Sequence, residues 1–179
     1  SDRQVRDEWK PLWGKRAVVD DHFNELVIDL LNPARQPEWM QLVVRGYNDG
    51  FAFCYKIPEG EGKCVNVRSE LTAYNFAGDY TAWFYNGENH NIGPERLTET
   101  DGTRLPVMTV KAGNKHYMAI HEACLETGAP LVLQSKEGET LFSVVSKPAS
   151  LSPGYTSAWR VVLYGTTPGA LTDSHLLEL

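Results

Sequence analysis

Short β-prone runs separated by turn residues constrain this chain most. Turn signals recur about every 8 to 15 positions, a rhythm typical of β-sandwiches and barrels. The clearest case is Asn48-Asp49-Gly50, which lies between the apolar runs 43–47 and 51–57. Asn, Asp and Gly tolerate the positive φ angles of a tight hairpin. The pattern therefore predicts an all-β fold of antiparallel strands.

Turn residues between β-prone runs predict two further hairpins. Residues 105–111 and 115–122 flank Ala112-Gly113-Asn114, and residues 131–135 and 140–146 flank a polar turn at 136–139. Single strands are predicted at residues 22–31, 70–76 and 159–164. The first of these also fits helical spacing, but the rest of the chain favours a strand. Residues 86–103 are rich in Gly, Asn, Glu and Thr and are predicted to form the longest loop.

Length and charge set outer limits on function. The 179 residues fit one domain, large enough to bury a core without a metal or disulfide. A net charge of −6 argues against nucleic acid, which is bound by clustered Lys and Arg. No run approaches the roughly 18 apolar residues of a membrane span. No signal peptide opens the chain, and a targeting segment of a secreted parent would lie upstream.

The three cysteines, Cys54, Cys64 and Cys124, lack the spacing of a metal site. Cys54 and Cys64 flank a predicted turn and could pair. Because Cys packs well as a small hydrophobe, we instead expect free and mostly buried thiols.

Glu122 is the most informative single residue. In residues 115–122, strand alternation places Met118, Ile120 and Glu122 on one face. If that face packs on the core, the carboxylate ends an apolar row and needs a partner, because an unpaired buried charge is costly. An Arg or a metal ion could be that partner. A third interpretation is that the carboxylate lies in solvent at the end of the strand. Calcium takes six to eight oxygens, so one Glu cannot form a site alone.

Other candidates are weaker. His116 and His121 fall on opposite faces of the same strand, so they cannot form a two-His metal pair. Trp83 could stack on a sugar ring or return to the core, and His90 in the predicted loop could touch a ligand or lie on the surface. The sequence contains no G-x-S-x-G, H-E-x-x-H or phosphate-binding Gly-rich motif. No pair of carboxylates stands out for glycoside hydrolysis.

An ordered series of segments is similar to the N-terminal domain of glycoside hydrolase family 97. No segment is specific alone, but the series runs over nearly the whole chain in order. It comprises Trp9-Lys10-Pro11-Leu12-Trp13-Gly14-Lys15-Arg16, His22-Phe23-Asn24-Glu25-Leu26, Val44-Arg45-Gly46-Tyr47-Asn48-Asp49-Gly50-Phe51-Ala52-Phe53, Glu70-Leu71-Thr72-Ala73-Tyr74-Asn75-Phe76, Tyr117-Met118-Ala119-Ile120-His121-Glu122-Ala123, Ala158-Trp159-Arg160-Val161-Val162 and Pro168-Gly169-Ala170-Leu171-Thr172-Asp173-Ser174.

The resemblance implies a fold and a partner. In that family a β-supersandwich, similar to galactose mutarotase-like domains, precedes a catalytic (β/α)8 barrel that acts on α-glucosides or α-galactosides. Residues 1–179 would then be a single, partial sandwich domain, truncated at both ends relative to the parent enzyme. The barrel would be absent, so the chain alone is expected to be inactive. Earlier strands would also be absent, and we expect another segment or a neighbouring chain to cover the edges left open.

The resemblance also implies a role for Glu122. In the family an active-site calcium takes most of its ligands from the barrel and one Glu from the sandwich, and Glu122 occupies the matching position. The implied partners are the parent's own barrel and an oligosaccharide at the domain interface, in a periplasmic or extracellular protein. Two alternative functions stay open. One is a free-standing carbohydrate-binding module, and the other is a mutarotase-like epimerase, which would need a well-placed His and Glu.

Overall fold

The computed structural model describes residues 1–32, 35–60, 64–87, 91–126 and 130–177. In that part of the chain the fold is all-β, as predicted, with fourteen strands, one 3-10 turn at Leu97–Glu99 and one short helix, α1, at Pro168–Asp173. The strands are β1 Asp2–Trp9, β2 Val19–Asn32, β3 Arg35–Tyr47, β4 Gly50–Lys56, β5 Val65–Val67, β6 Ala73–Asn75, β7 Thr81–Tyr85, β8 Asn91–Arg96, β9 Gly102–Ala112, β10 His116–Ala123, β11 Leu133–Ser135, β12 Leu141–Val144, β13 Ala149–Leu151 and β14 Trp159–Gly165.

One large antiparallel sheet forms the body of the domain. Its strand order is β1-β2-β3-β4-β14-β10-β9-β11-β12-β6, with β7 pairing β9 and β8 pairing β7. A separate two-stranded sheet joins β13 to β5. Within the described residues β1 ends the large sheet, and all its side chains except the half-buried Val5 are exposed. No described helix is long and apolar enough to cross a membrane.

The three predicted hairpins are confirmed. Strands β3 and β4 pair up to Tyr47 opposite Gly50, β9 pairs β10, and β11 pairs β12. Gly50 is required by packing, because a Cβ there would lie 2.2 Å from the carbonyl oxygen of Val162. Residues 22–31 lie in β2, so the strand interpretation of that ambiguous run is also confirmed.

Two local predictions were wrong, and one element was missed. Residues 86–103 do not form one long loop, because β8 pairs β7 and the 3-10 turn follows it. The predicted strand at 70–76 is reduced to Ala73–Asn75, which pairs β12. Helix α1 was not predicted, although its start is readable. Thr167 accepts a hydrogen bond from the Ala170 N–H and Pro168 supplies the first-turn φ.

Two apolar clusters pack on opposite faces of the large sheet. The face that carries Ile120 holds the larger cluster, and the face that carries Ala119 holds a smaller one, onto which Leu171 and Leu176 pack from the C-terminal segment. The larger cluster consists of Ala82, Phe84, Leu97, Met108, Val110, Ile120, Leu131, Leu133, Phe142 and Val144. Both faces are thus used, and the C-terminal segment is part of the fold.

The cysteines are free, as predicted, and no pair forms between Cys54 and Cys64. The prediction that they are mostly buried was wrong, because Cys64 and Cys124 are exposed and only Cys54 is buried. Burial raises the pKa of the Cys54 thiol to about 11, more than the charges of Lys56 and Arg45 lower it.

We therefore expect two fast-reacting thiols and one slow one. Ellman's reagent at neutral pH should titrate Cys64 and Cys124 in the folded protein, whereas Cys54 should react only after unfolding. A Cys54→Ser variant should abolish the slow thiol alone. One thiol in total after unfolding would show that two of the cysteines are paired, and one fast thiol out of three would contradict the exposure of Cys64 or Cys124.

A buried carboxylate on β2 ties three strands together. Glu25 is 7% exposed, and its two oxygens accept hydrogen bonds from Arg3 Nε at 2.8 Å and Arg45 Nε at 3.0 Å. The Arg45 guanidinium also lies over the rings of Phe23 and Trp159, at 4.2 and 4.6 Å from their centroids. Burial alone would raise the pKa of Glu25, but the two arginines outweigh it and hold that pKa below its ordinary value.

A lowered pKa makes this network a pH-dependent source of stability. The contribution is complete above the unfolded-state pKa and is lost as the pH falls through the lower folded-state pKa. Glu25→Gln should reduce the free energy of unfolding by about 2 kcal/mol at pH 7 and by much less at about pH 3. Urea unfolding at both pH values measures this, with the exposed Glu8→Gln as control. An equal loss at both pH values would contradict it.

Candidate functional site

A buried arginine on β14 is the centre of the candidate site. Strand alternation puts Arg160 on the opposite face from Trp159 and Val161, and its side chain is 7% exposed. In the sheet register Arg160 lies directly opposite Glu122 on β10 and Phe53 on β4. Directly opposed residues share a face. The pairing of β14 with both neighbours therefore fixes a guanidinium beside Glu122.

Glu70 is the main partner of that guanidinium. Its Oε1 accepts from Arg160 Nε at 3.1 Å and its Oε2 from Arg160 Nη2 at 2.7 Å, a two-pronged pair that fixes geometry as well as charge. The Glu70 N–H donates to Ser146 Oγ at 2.7 Å, which holds the acid in place. Burial alone would lower the pKa of Arg160, but the hydrogen bonds and charge of Glu70 raise it. Arg160 is therefore a permanent cation.

Glu122 approaches the same guanidinium less closely. Its Oε2 accepts a hydrogen bond from the Leu131 N–H at 2.8 Å and lies 3.6 Å from Arg160 Nη1. Nη1 is buried, and within the described residues it has no hydrogen-bond partner. One cation thus faces two carboxylates, and Glu70 makes the direct contact. Glu122 is left as the surplus negative charge, with a side chain only 11% exposed.

A neutral histidine supports the backbone at this position. The Glu122 N–H donates to His121 Nδ1 at 2.8 Å, so the ring carries no proton on that nitrogen. Burial lowers the pKa of His121, and the charge of Glu122 opposes this only in part. His116 lies on the other face of β10, where its Nδ1 is 2.8 Å from the Tyr164 hydroxyl oxygen. The two histidines are on opposite faces, as the alternation predicted.

A cavity of about 890 Å³ adjoins the cluster. The Arg160–Glu70 pair contributes to its wall, and the remaining lining includes Tyr55, Leu71 and Ser146. The small β5–β13 sheet contributes further lining residues. Mostly apolar lining with a few convergent polar groups is typical of small-molecule sites. The cavity can therefore offer hydrogen-bond donors and acceptors to a polar ligand.

The structure separates the residues that the sequence singled out. Glu122 ends an apolar row, as predicted, and an arginine lies near it, which was one of the partners considered. Trp83 is half-buried on β7, opposite Thr109, and Thr109 in turn is opposite Ala119, so Trp83 is on the other face of the sheet from Glu122. His90 lies outside the described residues. The sugar contacts predicted for Trp83 and His90 stay predictions.

Sequence reasoning missed both Glu70 and Arg160 as site residues. Arg160 could have been found, since it is the one charged residue in the apolar strand Trp159–Gly165. Glu70 could not, because it is brought to Arg160 across 90 positions of the sequence. In the described ranges no group of three or more His, Cys, Asp or Glu side chains could hold a metal ion. A metal bound at Glu122 would need ligands from elsewhere.

The Glu70–Arg160 pair generates a stability prediction. Glu70→Ala leaves a buried guanidinium without its direct counter-charge and should cost about 3 kcal/mol of unfolding free energy, measured by urea denaturation. The exposed Glu59→Ala should change it by less than about 0.5 kcal/mol. The double variant Glu70→Leu, Arg160→Met should recover most of the loss, because it removes both charges. An unchanged free energy of unfolding in Glu70→Ala would show that the Glu70–Arg160 pair contributes nothing to stability.

Comparison with known proteins gives a consistent result. The family model described as "Glycosyl-hydrolase 97 N-terminal" matches residues 1–179. A glycoside hydrolase family 97 enzyme from Pseudoalteromonas sp. strain K8, solved in complex with acarbose, has a TM-score of 0.82 and 22% identity. The match covers 97% of this chain and 28% of that one. An E480Q form of a family 97 enzyme from that strain, in complex with panose, matches with the same TM-score, identity and coverage.

A more distant neighbour is a β-arabinopyranosidase. Its crystal structure matches with a TM-score of 0.73 and 18% identity, over 93% of this chain and 31% of that chain. At these identities the likeness to solved structures shows the fold. The chain spans less than a third of the length of the enzymes it matches. Because the family model covers every residue, the chain belongs to glycoside hydrolase family 97, as an N-terminal domain of that family.

Proposed function

We propose that this domain is an accessory part of an α-glycoside hydrolase, that it packs on the parent's catalytic barrel, and that Glu122 donates a carboxylate to an active-site calcium. The family match over residues 1–179 supports the enzyme class. The position of Glu122 supports the finer part, because Arg160 directs its two hydrogen bonds to Glu70 and makes only a longer ion pair of 3.6 Å with Glu122.

The residues at the site fit one ligand of a hard cation. Calcium is bound by oxygens, and carboxylates are its strongest protein donors. Glu70 is committed to Arg160 through both oxygens, whereas Glu122 contacts the guanidinium through neither at hydrogen-bond distance. The Leu131 N–H orients the Glu122 carboxylate. Glu70 thus offsets the cation that would otherwise repel a metal, and Glu122 keeps its charge available.

The described residues supply too few oxygens for a calcium site by themselves. Calcium takes six to eight oxygen ligands, so most would come from the barrel or from water. Once bound, the ion would stabilise negative charge that develops on substrate oxygens. This chain's own contribution is to hold Glu122 on a rigid strand, so that the domain interface and the metal site form together.

Removing the Glu122 carboxylate tests this role in the parent enzyme. Glu122→Ala should weaken calcium binding at least about tenfold, because a charged ligand is lost from the site. Calorimetric titration of chelator-treated enzyme with calcium measures the affinity directly, and turnover of aryl α-glucosides and α-galactosides measures the consequence. Calcium affinity and turnover should fall together.

Two controls sharpen the result. Glu126→Ala removes an exposed carboxylate four residues further on and should leave calcium affinity unchanged. Circular dichroism of Glu122→Ala should confirm that the fold is intact. Wild-type calcium affinity and turnover in Glu122→Ala would remove this residue from the mechanism.

A further inference from the structure

We infer that His121 is a positioning residue for the proposed metal ligand Glu122, because its imidazole accepts the Glu122 backbone N–H beyond the point where β9 pairs with β10. The inference rests on the proposed function, and it names a residue that supports the metal site without touching the metal. Strand alternation puts the His121 side chain on the opposite face of β10 from the Glu122 carboxylate, so it is not placed to bind the same ion.

Glu122 lies where the sheet pairing of β10 becomes one-sided. On one side, β14 pairs with β10 as far as Ala123. On the other side, the pairing with β9 ends at Ile120. The register of that pairing would next bring Glu122 opposite Pro106, which has no backbone N–H to complete a ladder. Among the described strands, Glu122 is therefore paired on one side only.

The His121 ring supplies an acceptor at this point. The Glu122 N–H donates to His121 Nδ1 at 2.8 Å. Because a backbone N–H that is buried without an acceptor costs about as much as a lost hydrogen bond, this contact stabilises the end of the strand. His121 lies directly opposite Val161, a member of the smaller apolar cluster, so the ring reaches the backbone from that face. The carboxylate on the other face does not take part in this bond.

A fixed backbone limits where the Glu122 carboxylate can lie. The chain turns away from the sheet soon afterwards, since Cys124 has a φ of +53° in the left-handed region. Strand ends with few partners open more readily than strand centres. The Leu131 N–H holds Oε2 of the carboxylate at 2.8 Å, and His121 holds the main chain of the same residue. A metal ligand has to stay within about 0.5 Å of its working position, and the two bonds together favour this.

Substitutions at position 121 of the full-length parent enzyme separate the acceptor from the bulk of the ring. His121→Asn keeps an acceptor at the place of Nδ1, whereas His121→Leu fills similar space with none. His116→Leu is the matched control, because it removes a histidine from the far end of the same strand. Hydrogen–deuterium exchange of the calcium-free enzyme, resolved at the Glu122 amide by mass spectrometry of fragmented peptides, measures the bond. Calorimetric titration with calcium measures its effect on metal binding.

His121→Leu should speed exchange at the Glu122 amide at least about tenfold and weaken calcium binding about tenfold. His121→Asn should bring exchange and affinity back near the wild-type values, and His116→Leu should change neither. Faster exchange with unchanged calcium affinity in His121→Leu would reduce the histidine to a structural role and overturn the inference. An Asn variant as impaired as the Leu variant would also overturn it, because the acceptor would then not be what matters.

Two further variants keep the outcomes distinct. If His121→Leu does not fold, His121→Gln replaces it, because the Gln amide lies one bond further from the backbone than the acceptor of Asn. Calcium affinity should then be lower in the Gln variant than in the Asn variant, and equal affinities would contradict the inference. Wild-type calcium affinity in Glu122→Ala would reject the metal role and this inference with it. Weakened binding in Glu122→Ala beside wild-type binding in His121→Leu would reject this inference alone.

Discussion

The pairing of β14 with β4 on one side and β10 on the other is the constraint on which the rest of this domain depends. Its register fixes a row of side chains across five strands, in the order Leu26, Val44, Phe53, Arg160 and Glu122. A slip of one residue would move the guanidinium to the opposite face and bury a charge among apolar side chains. The buried pair with Glu70 therefore selects one register.

A buried ion pair of this kind adds little net stability compared with apolar side chains, because desolvation offsets the Coulomb attraction. At Arg160 the pair holds the guanidinium in place beside Glu122. This buried cluster therefore joins one arginine to two acids. The hydroxyl of Tyr74 responds to the same environment, since burial raises its pKa.

Local chemistry made the hairpins predictable, because Asn-Asp-Gly and Ala-Gly-Asn turns lie between apolar runs and fix both strand ends. The same reasoning placed Glu122 correctly on the face of Met118 and Ile120. It failed at residues 86–103, where polar composition concealed a strand whose stability comes from pairing with β7. It also failed for Glu70, because contacts across 90 positions leave no periodic signature. The separation of Trp83 from Glu122 follows from the path β7-β9-β10, which no single segment encodes.

The charged character of β1 has a consequence for the sheet as a whole. An open edge presents unpaired N–H and C=O groups that can recruit a strand from another molecule. Asp2, Arg3, Arg6, Asp7 and Glu8 put closely spaced charges of both signs along this edge, and all five are exposed. An incoming strand would have to bury them or match them one by one. Any strand that joins the sheet beside β1 must therefore match this charge pattern, which disfavours the indiscriminate strand addition that leads to fibres.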